Sequence, residues 1–367
     1  MVPPQQRKDF WKRAGLLDDG LHDVRSSRSL EHNQKVAKIG KALKQVVSEE
    51  THLEMERLQK VLTDKNQSPD AATVAFNRMK EIASVEMQRL DELSKTCQEG
   101  VESLNTKHEL MENFLDEVAK SFKDVTIRQP LLDGVCPDGC VDPTKEKAYQ
   151  DRLFSLAQEG CKSLDKSMSK LIKTINSVSS PHKLGFSKEA FPLKLVNGKD
   201  KIKLDKCQVK SEKRLVEKIT NEYMNKSGPR ASHILDICRC RVTFRDAYTL
   251  LVFSILLGDA LNVVRLKSFF GNDRSIKHAL INVQLEQGLI CEIQLSLDTF
   301  NVIHQENHIY YEIIRAENPA EVANIDFTTV KSEKTSKMAK KLDKAKKTDK
   351  RINGQSSKTL PKSSRAA

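Results

Sequence analysis

Aromatic side chains are scarce. They make up 5% of the 367 residues, with a single tryptophan, Trp11. So small a supply of large apolar groups does not suit one big core; it suits long solvated helices, and the 31% of charged residues agrees. No uninterrupted apolar run is long enough to span a bilayer. The opening MVPPQQRKDFWKRAGLL lacks the apolar core of a secretory signal. Eight cysteines are scattered through the chain and are expected to be mostly free thiols, in a cytoplasmic or nuclear setting. Acidic residues are outnumbered, 50 against 62 Lys and Arg, and the net charge of +12 favours anionic partners: nucleotides, nucleic acid or an acidic membrane.

At this length two or three domains are expected. In residues 1–28, Phe10, Trp11, Ala14, Leu16 and Leu17 form a short amphipathic segment beside Arg7, Lys8, Lys12 and Arg13. It can lie in a membrane interface or dock on neighbouring helices, and docking is the commoner outcome. Residues 29–180 read as three amphipathic helices. The first carries Val36, Ile39, Leu43 and Val46; the pattern breaks at Asn66–Pro69. The second is long, with Leu90, Leu93, Cys97, Val101, Leu104, His108, Met111, Leu115, Val118 and Phe122 on one stripe. It becomes a heptad seam from Val101, after a stutter at Cys97. The third runs from about Lys145 to Val178 with Leu164, Met168, Leu171 and Ile175 on one face. Short connections imply an antiparallel coiled-coil bundle, which also offers a surface for homodimers. Between the second and third helices, Cys136 and Cys140 stand four apart. Zinc would need two further ligands and none follows at finger spacing, so a loop disulfide or two thiols is the expectation. Residues 181–199 read as a linker. Residues 329–367 form a lysine-rich tail with too few apolar groups to offset the entropy of folding, a candidate nuclear-localisation segment or contact for nucleic acid or acidic membrane.

Strand character is concentrated between Gln208 and Arg315. ILDICRCRVTF is a β-branched run headed by Asp236. ALINVQLEQGLICEIQL alternates across a turn at Gln287-Gly288 and reads as a hairpin. Its second arm puts Glu292 and Gln294 on one face. Carboxylates on neighbouring strands beside lysines and arginines suit a triphosphate with Mg2+: cations offset phosphate charge, and a carboxylate can hold the metal or accept a proton from an attacking hydroxyl. Solvated or capping acids at strand ends remain the bland alternative.

These residues resemble the synthetase domain of RelA/SpoT proteins, which transfer pyrophosphate from ATP to the 3′ hydroxyl of GTP or GDP. The family has the motifs R-x-K-x-x-x-S-x-x-x-K, D-I-x-G-x-R, K-D-Y-I, G-Y-x-S-L-H and E-I-Q-I-R-T, then a helix with an acid, a His and a Tyr. Lys210 and Lys218 match the lysines. Asp236, Ile237 and Arg241 match the second motif, and Lys267 the third. Ser275 and His278 fall in the fourth, Glu292, Ile293 and Gln294 in the fifth, and Glu306, His308 and Tyr311 in the last helix. The likeness covers residues 200–318. It implies catalytic and metal-binding roles for Asp236 and Glu292. It implies nucleotide or phosphate contacts for Lys210, Arg214, Lys218, Arg241, Lys267, Arg274, His278, Gln294 and His308. The chain departs from the pattern at Gln208, Arg214 and Arg239, which replace an arginine, a serine and a glycine, and at Asp273, which replaces the guanine-stacking tyrosine. The expected fold class is α+β: an N-terminal antiparallel bundle of three long helices, then a mixed, nucleotidyltransferase-like β-sheet flanked by helices. Two functions follow. One is a divergent nucleoside-triphosphate-binding domain, either active as a GTP diphosphokinase-type pyrophosphate transferase with Mg2+ or catalytically degenerate. The other is a non-enzymatic helical scaffold, similar in architecture to the membrane-curving BAR bundle.

Overall fold

Side-chain alternation and helix caps account for most of the secondary structure in the computed structural model. It describes residues 41–42, 45–46, 48–64, 66–102, 106–123, 125–132, 134–140, 142–188, 191, 193–195, 201–271, 277–323, 325 and 327, without the side chains of 98–102 and 106–109. The helices are α1 (Glu49–Thr63), α2 (Pro69–Glu102), α3 (Thr106–Lys120), α4 (Pro143–Asn176), α5 (Glu212–Asn221), α6 (Ala247–Ala260), α7 (Asp298–Arg315) and α8 (Pro319–Val322). The strands are β1 (Ile202–Val209), β2 (Cys238–Phe244), β3 (Asn262–Ser268), β4 (Ala279–Gln284) and β5 (Ile290–Leu297). The structure is therefore α+β. Two compact units divide it: the described residues of Asn105–Asp298, and those of Ser26–Leu104 with Thr299–Ala367. The expected segments 1–28 and 329–367 lie outside the described residues.

In the second unit α1 and α2 pack together, and α8 lies against both. Ser48 caps α1 by accepting from Thr51 N at 3.3 Å. On α2 the buried residues Ala75, Phe76, Met79, Ala83 and Leu90 follow a three-and-four spacing. Gln59 on α1 donates to the carbonyls of Val322, Ala323 and Ile325 at 3.2, 2.9 and 2.8 Å, fastening the α8 segment. Glu306 of α7 is fully buried, and its Oε1 meets His52 Nε2 at 2.6 Å and the Tyr310 hydroxyl at 3.0 Å.

The first unit is built on a five-stranded sheet in the order β1-β2-β5-β4-β3. β2 and β5 are parallel, and the other pairs are antiparallel. The hairpin expected at Gln287-Gly288 joins β4 to β5. Gly288 takes φ 87, a conformation in which a Cβ is strained, and its N–H donates to Leu285 O at 2.9 Å. One face of the sheet is apolar: Cys238, Cys240, Val242 and Phe244 on β2, Ile293 and Leu295 on β5, Ile281 and Val283 on β4. α6 is capped by Asp246, which accepts from Thr249 N at 3.0 Å, and is apolar nearly all round. It packs on this face with Phe253 edge-on to Phe244. α4 starts at Pro143 behind the Asp142 cap and lies along β1 and β2.

That placement corrects the expected three-helix bundle. The apolar stripe of α4 is real, with Leu153, Leu164, Met168 and Ile175 fully buried, but β1 and β2 lie against it. The stripe expected on one long helix across residues 70–122 falls on two described helices, α2 and α3. α2 belongs to one unit; α3, with buried Met111, Phe114, Leu115 and Val118, belongs to the other and packs on α6 and β3. A heptad-like spacing specifies which face is buried, not what covers it. With its third helix on the sheet, the architectural basis of the BAR analogy is gone. The expected linker also contributes packing, since Phe191 and Leu195 are buried and Phe191 touches Tyr248.

Truncating Leu164 to Ala should lower the unfolding free energy by about 2–5 kcal/mol in a denaturant titration, because the sheet cannot close the void. Val74→Ala on α2, 68% exposed, should change it by no more than about 0.5 kcal/mol. Equal effects would contradict the packing of α4.

Candidate functional site

The face of the sheet opposite α4 and α6 is polar. Two rows cross it in register. Arg239 on β2 stands beside Glu292 on β5, Glu292 beside Asn282 on β4, and Asn282 beside Arg265 on β3. The next row runs Arg241, Gln294, Leu280 and Lys267. Arg241 donates through Nε and Nη2 to Gln294 Oε1 at 3.3 and 3.2 Å, and Gln294 Nε2 donates to Glu292 Oε1 at 3.0 Å. Arg265 Nε donates to Asn282 Oδ1 at 2.9 Å.

Asp236 lies at the end of these rows, in the turn that leads into β2 and not on a strand. Its Oδ2 meets Lys210 Nζ at 2.8 Å and its Oδ1 meets Lys218 Nζ at 3.0 Å. Lys210 follows β1, where its N–H donates to Ile237 O at 2.8 Å. Lys218 is on α5, whose Ser211 cap and buried Leu215 and Ile219 fix the helix. All three charged side chains are at most 21% exposed, so the pairs are poorly screened. Burial by itself would raise the Asp236 pKa; Lys218 and Lys210 outweigh it and hold the carboxyl below the usual range. Asp236 in turn overcomes the burial of Lys218 and raises its pKa.

Glu292 is shifted the other way. Burial pushes its pKa up, the Asp236 anion adds to this, and Gln294, Lys218 and Arg239 oppose it only in part. Arg265, whose own pKa burial lowers, feels both carboxylates and Tyr223. The Tyr223 ring stacks on His233 with centroids 5.7 Å apart, and the Lys218 ammonium lies 6.0 Å from its centre. The spacing between the two acid-bearing segments is set from outside the sheet by buried Gln129. Its Nε2 donates to Ile234 O and Ile290 O at 2.9 and 2.8 Å, and its Oε1 accepts from Ile290 N at 2.9 Å. One amide thus ties the approach to Asp236 to the start of the Glu292 strand.

Of the residues singled out in the sequence, Asp236, Glu292, Lys210, Lys218, Arg241 and Gln294 are brought onto this face. Lys267 is on the same row but exposed at β3. Arg214 is engaged with Glu217 at 3.2 Å. His278 precedes β4 and packs against Phe269, with ring centroids 4.9 Å apart. His308 belongs to the other unit, where it is half-exposed and 3.6 Å from Glu312. Arg274 and Asp273 lie outside the described residues. Arg265, Asn282, Tyr223 and Gln129 escaped the sequence reading. Arg239, read there only as a departure from the family pattern, belongs to the central row.

The donor set does not suit a divalent cation. Both Asp236 oxygens already carry ammonium groups, and Glu292 is held toward its neutral form. Among the described residues no group of three or more His, Cys, Asp or Glu is arranged to hold a metal ion. What the arrangement can do is meet an anion, with lysines and arginines exceeding the two central carboxylates, and move a proton at Glu292.

Gln129→Ala should cost about 1–3 kcal/mol of stability, since it strands the Ile290 N–H in a buried position. Glu292→Gln should raise stability at pH 7. A folded pKa above the ordinary 4.5 means that the native state binds the extra proton, so wild-type stability falls as pH rises from about that value. The gain should vanish in melts below pH 4.5, where Glu292 is neutral in both states; a gain independent of pH would contradict the assignment.

No family model matches the chain, and no curated protein matches it. Among solved structures it is similar to the small alarmone synthetase 1 from Bacillus subtilis, at 14% identity and a TM-score of 0.32 over 57% of this chain and 99% of that one. The same synthetase bound to its product pppGpp gives 12% identity and 0.32 over 56% and 98%. Overlap this loose gives no residue correspondence.

Proposed function

We propose that the Asn105–Asp298 unit binds a nucleoside triphosphate on the polar face of its sheet. The observation that supports this most directly is the clustering of Lys210, Lys218, Arg239, Arg241 and Arg265 around Asp236 and Glu292. Cations held in a partly dry site before the ligand arrives favour polyphosphate strongly, because little reorganisation remains to be done. Lys210 and Lys218 would exchange Asp236 for phosphate oxygens or share them with it. Arg241 is oriented by the neutral amide of Gln294 and stands opposite Asp205 of β1.

The finer reading is pyrophosphate transfer from ATP to a nucleotide hydroxyl, the reaction that the RelA/SpoT resemblance implies. Glu292 favours it. A buried carboxylate whose pKa is raised is a stronger base toward an attacking sugar hydroxyl than an ordinary one. Its neighbour Gln294 fixes the carboxylate by donating to Oε1.

Calorimetry on the full chain should give ATP a dissociation constant in the micromolar-to-millimolar range, roughly 4 to 8 kcal/mol. Lys210→Ala and Arg241→Ala should each weaken it by about 1.5–3 kcal/mol. Glu292→Gln should retain binding and abolish any release of AMP with an acceptor nucleotide present. Absence of ATP binding by wild type, or affinity unchanged in the double variant Lys210→Ala/Arg241→Ala, would overturn the reading.

A further inference from the structure

Five of the eight cysteines collect on the side of the sheet away from the phosphate-binding face. Cys161 on α4 has its sulfur 2.6 Å from that of Cys238 at the start of β2, closer than two unbonded sulfurs rest. Cys291 of β5 and Cys240 of β2 are buried on the same side. Cys161 retains 7% exposure and Cys238 none. The surroundings are apolar, so neither thiol has a cation to activate it, and both remain protonated at ordinary pH.

We propose that Cys161 and Cys238 are a site of covalent modification, joined as a disulfide when a low-molecular-weight disulfide is the oxidant. Cys161, the more accessible of the two, first loses its proton to solvent base; it then attacks one sulfur of the external disulfide and expels a small thiolate, which takes up a proton. Cys238 then displaces the second small thiol from Cys161. The two protein thiols lose two hydrogens, and the external disulfide is reduced to two thiols. Contact between the two sulfurs makes the second step effectively intramolecular, so the mixed disulfide does not persist. The bond spans 77 residues of sequence and links α4 to β2 two positions after Asp236 and next to Arg239. It would hold the strand that carries the arginines against the helix behind it.

The test uses the full chain incubated with oxidised glutathione, then unfolded in an alkylating agent without reductant and mapped by mass spectrometry. The expected result is one cross-linked peptide pair containing Cys161 and Cys238, lighter by two hydrogens than the separate peptides. It should be missing in Cys161→Ser and retained in Cys97→Ser. Oxidised wild type should melt at a higher temperature than reduced wild type, with no such shift in Cys161→Ser. A second incubation in urea just below the unfolding transition gives the reagent access to buried thiols. If Cys161 and Cys238 emerge there separately alkylated, or as a stable glutathione adduct on Cys161, the proposal is wrong. The map reads thiol pairing alone, so its outcome is independent of nucleotide binding.

Discussion

Both oxygens of Asp236 hold an ammonium group, and the polar face is organised around that double contact. The three partners come from different places: the residue after β1, the last turn of α5 and the turn before β2. Each charge, taken out of water by itself, would be costly; together they offset one another. Removing either lysine would leave a carboxylate half-compensated, and removing Asp236 would leave two half-buried cations without their shared partner. The contact therefore fixes where the cations stand before any ligand is bound. It also occupies both oxygens of the carboxylate that would otherwise be available to a metal ion.

The two central carboxylates are driven apart by one another. Asp236 is stabilised as an anion by its lysines, and that anion adds to burial in raising the pKa of Glu292. Two acids a short distance apart in different environments are a means of obtaining one fixed charge and one mobile proton in a single site. The division depends on Gln129, whose amide holds the approach to Asp236 and the start of β5 together, and on Gln294, which restrains Glu292. Neither acts on a ligand directly, yet both determine what the carboxylates can do.

Much of this was legible in the sequence wherever the relevant signal is local. The hairpin at Gln287-Gly288 follows from the glycine and the flanking alternation, and Glu292 and Gln294 share a face because they are two apart on a strand. Lys210 and Lys218 were picked out by the family resemblance. The fate of the amphipathic helices was not legible. A stripe such as Leu164, Met168 and Ile175 is equally satisfied by another helix or by a sheet, and only the three-dimensional packing decides. Gln129 lay beyond reach for a related reason. A single buried amide that bonds three backbone groups 105 and 161 residues away leaves no periodic trace.

Two irregularities in the sheet explain the rest. Along β1 the partners shift between Asp205, opposite Arg241, and Gln208, opposite Arg239. Three steps on β1 match two on β2, so the extra residue reverses the alternation. Asp205 and Gln208 therefore share the polar side although they are an odd number apart. Without the bulge Cys207 would stand opposite Arg239, and Lys210 would have the parity of the apolar face. A bulge on β3 does the same. Val263 is opposite Val283 and Arg265 opposite Asn282, although 263 and 265 would share a face on a regular strand. Counted from Val263, strict alternation puts Arg265 on the apolar side; counted back from Lys267 it falls on the polar one. Elsewhere the alternation is unbroken, and Cys238, Arg239, Cys240 and Arg241 present thiol and guanidinium to opposite sides. A slip of one residue would bury two arginines and expose two thiols, so β2 has a single tolerable register. The edge strands absorb the irregularity, and that is what allows a lysine from one edge and an arginine from the other to meet the same central pair of acids.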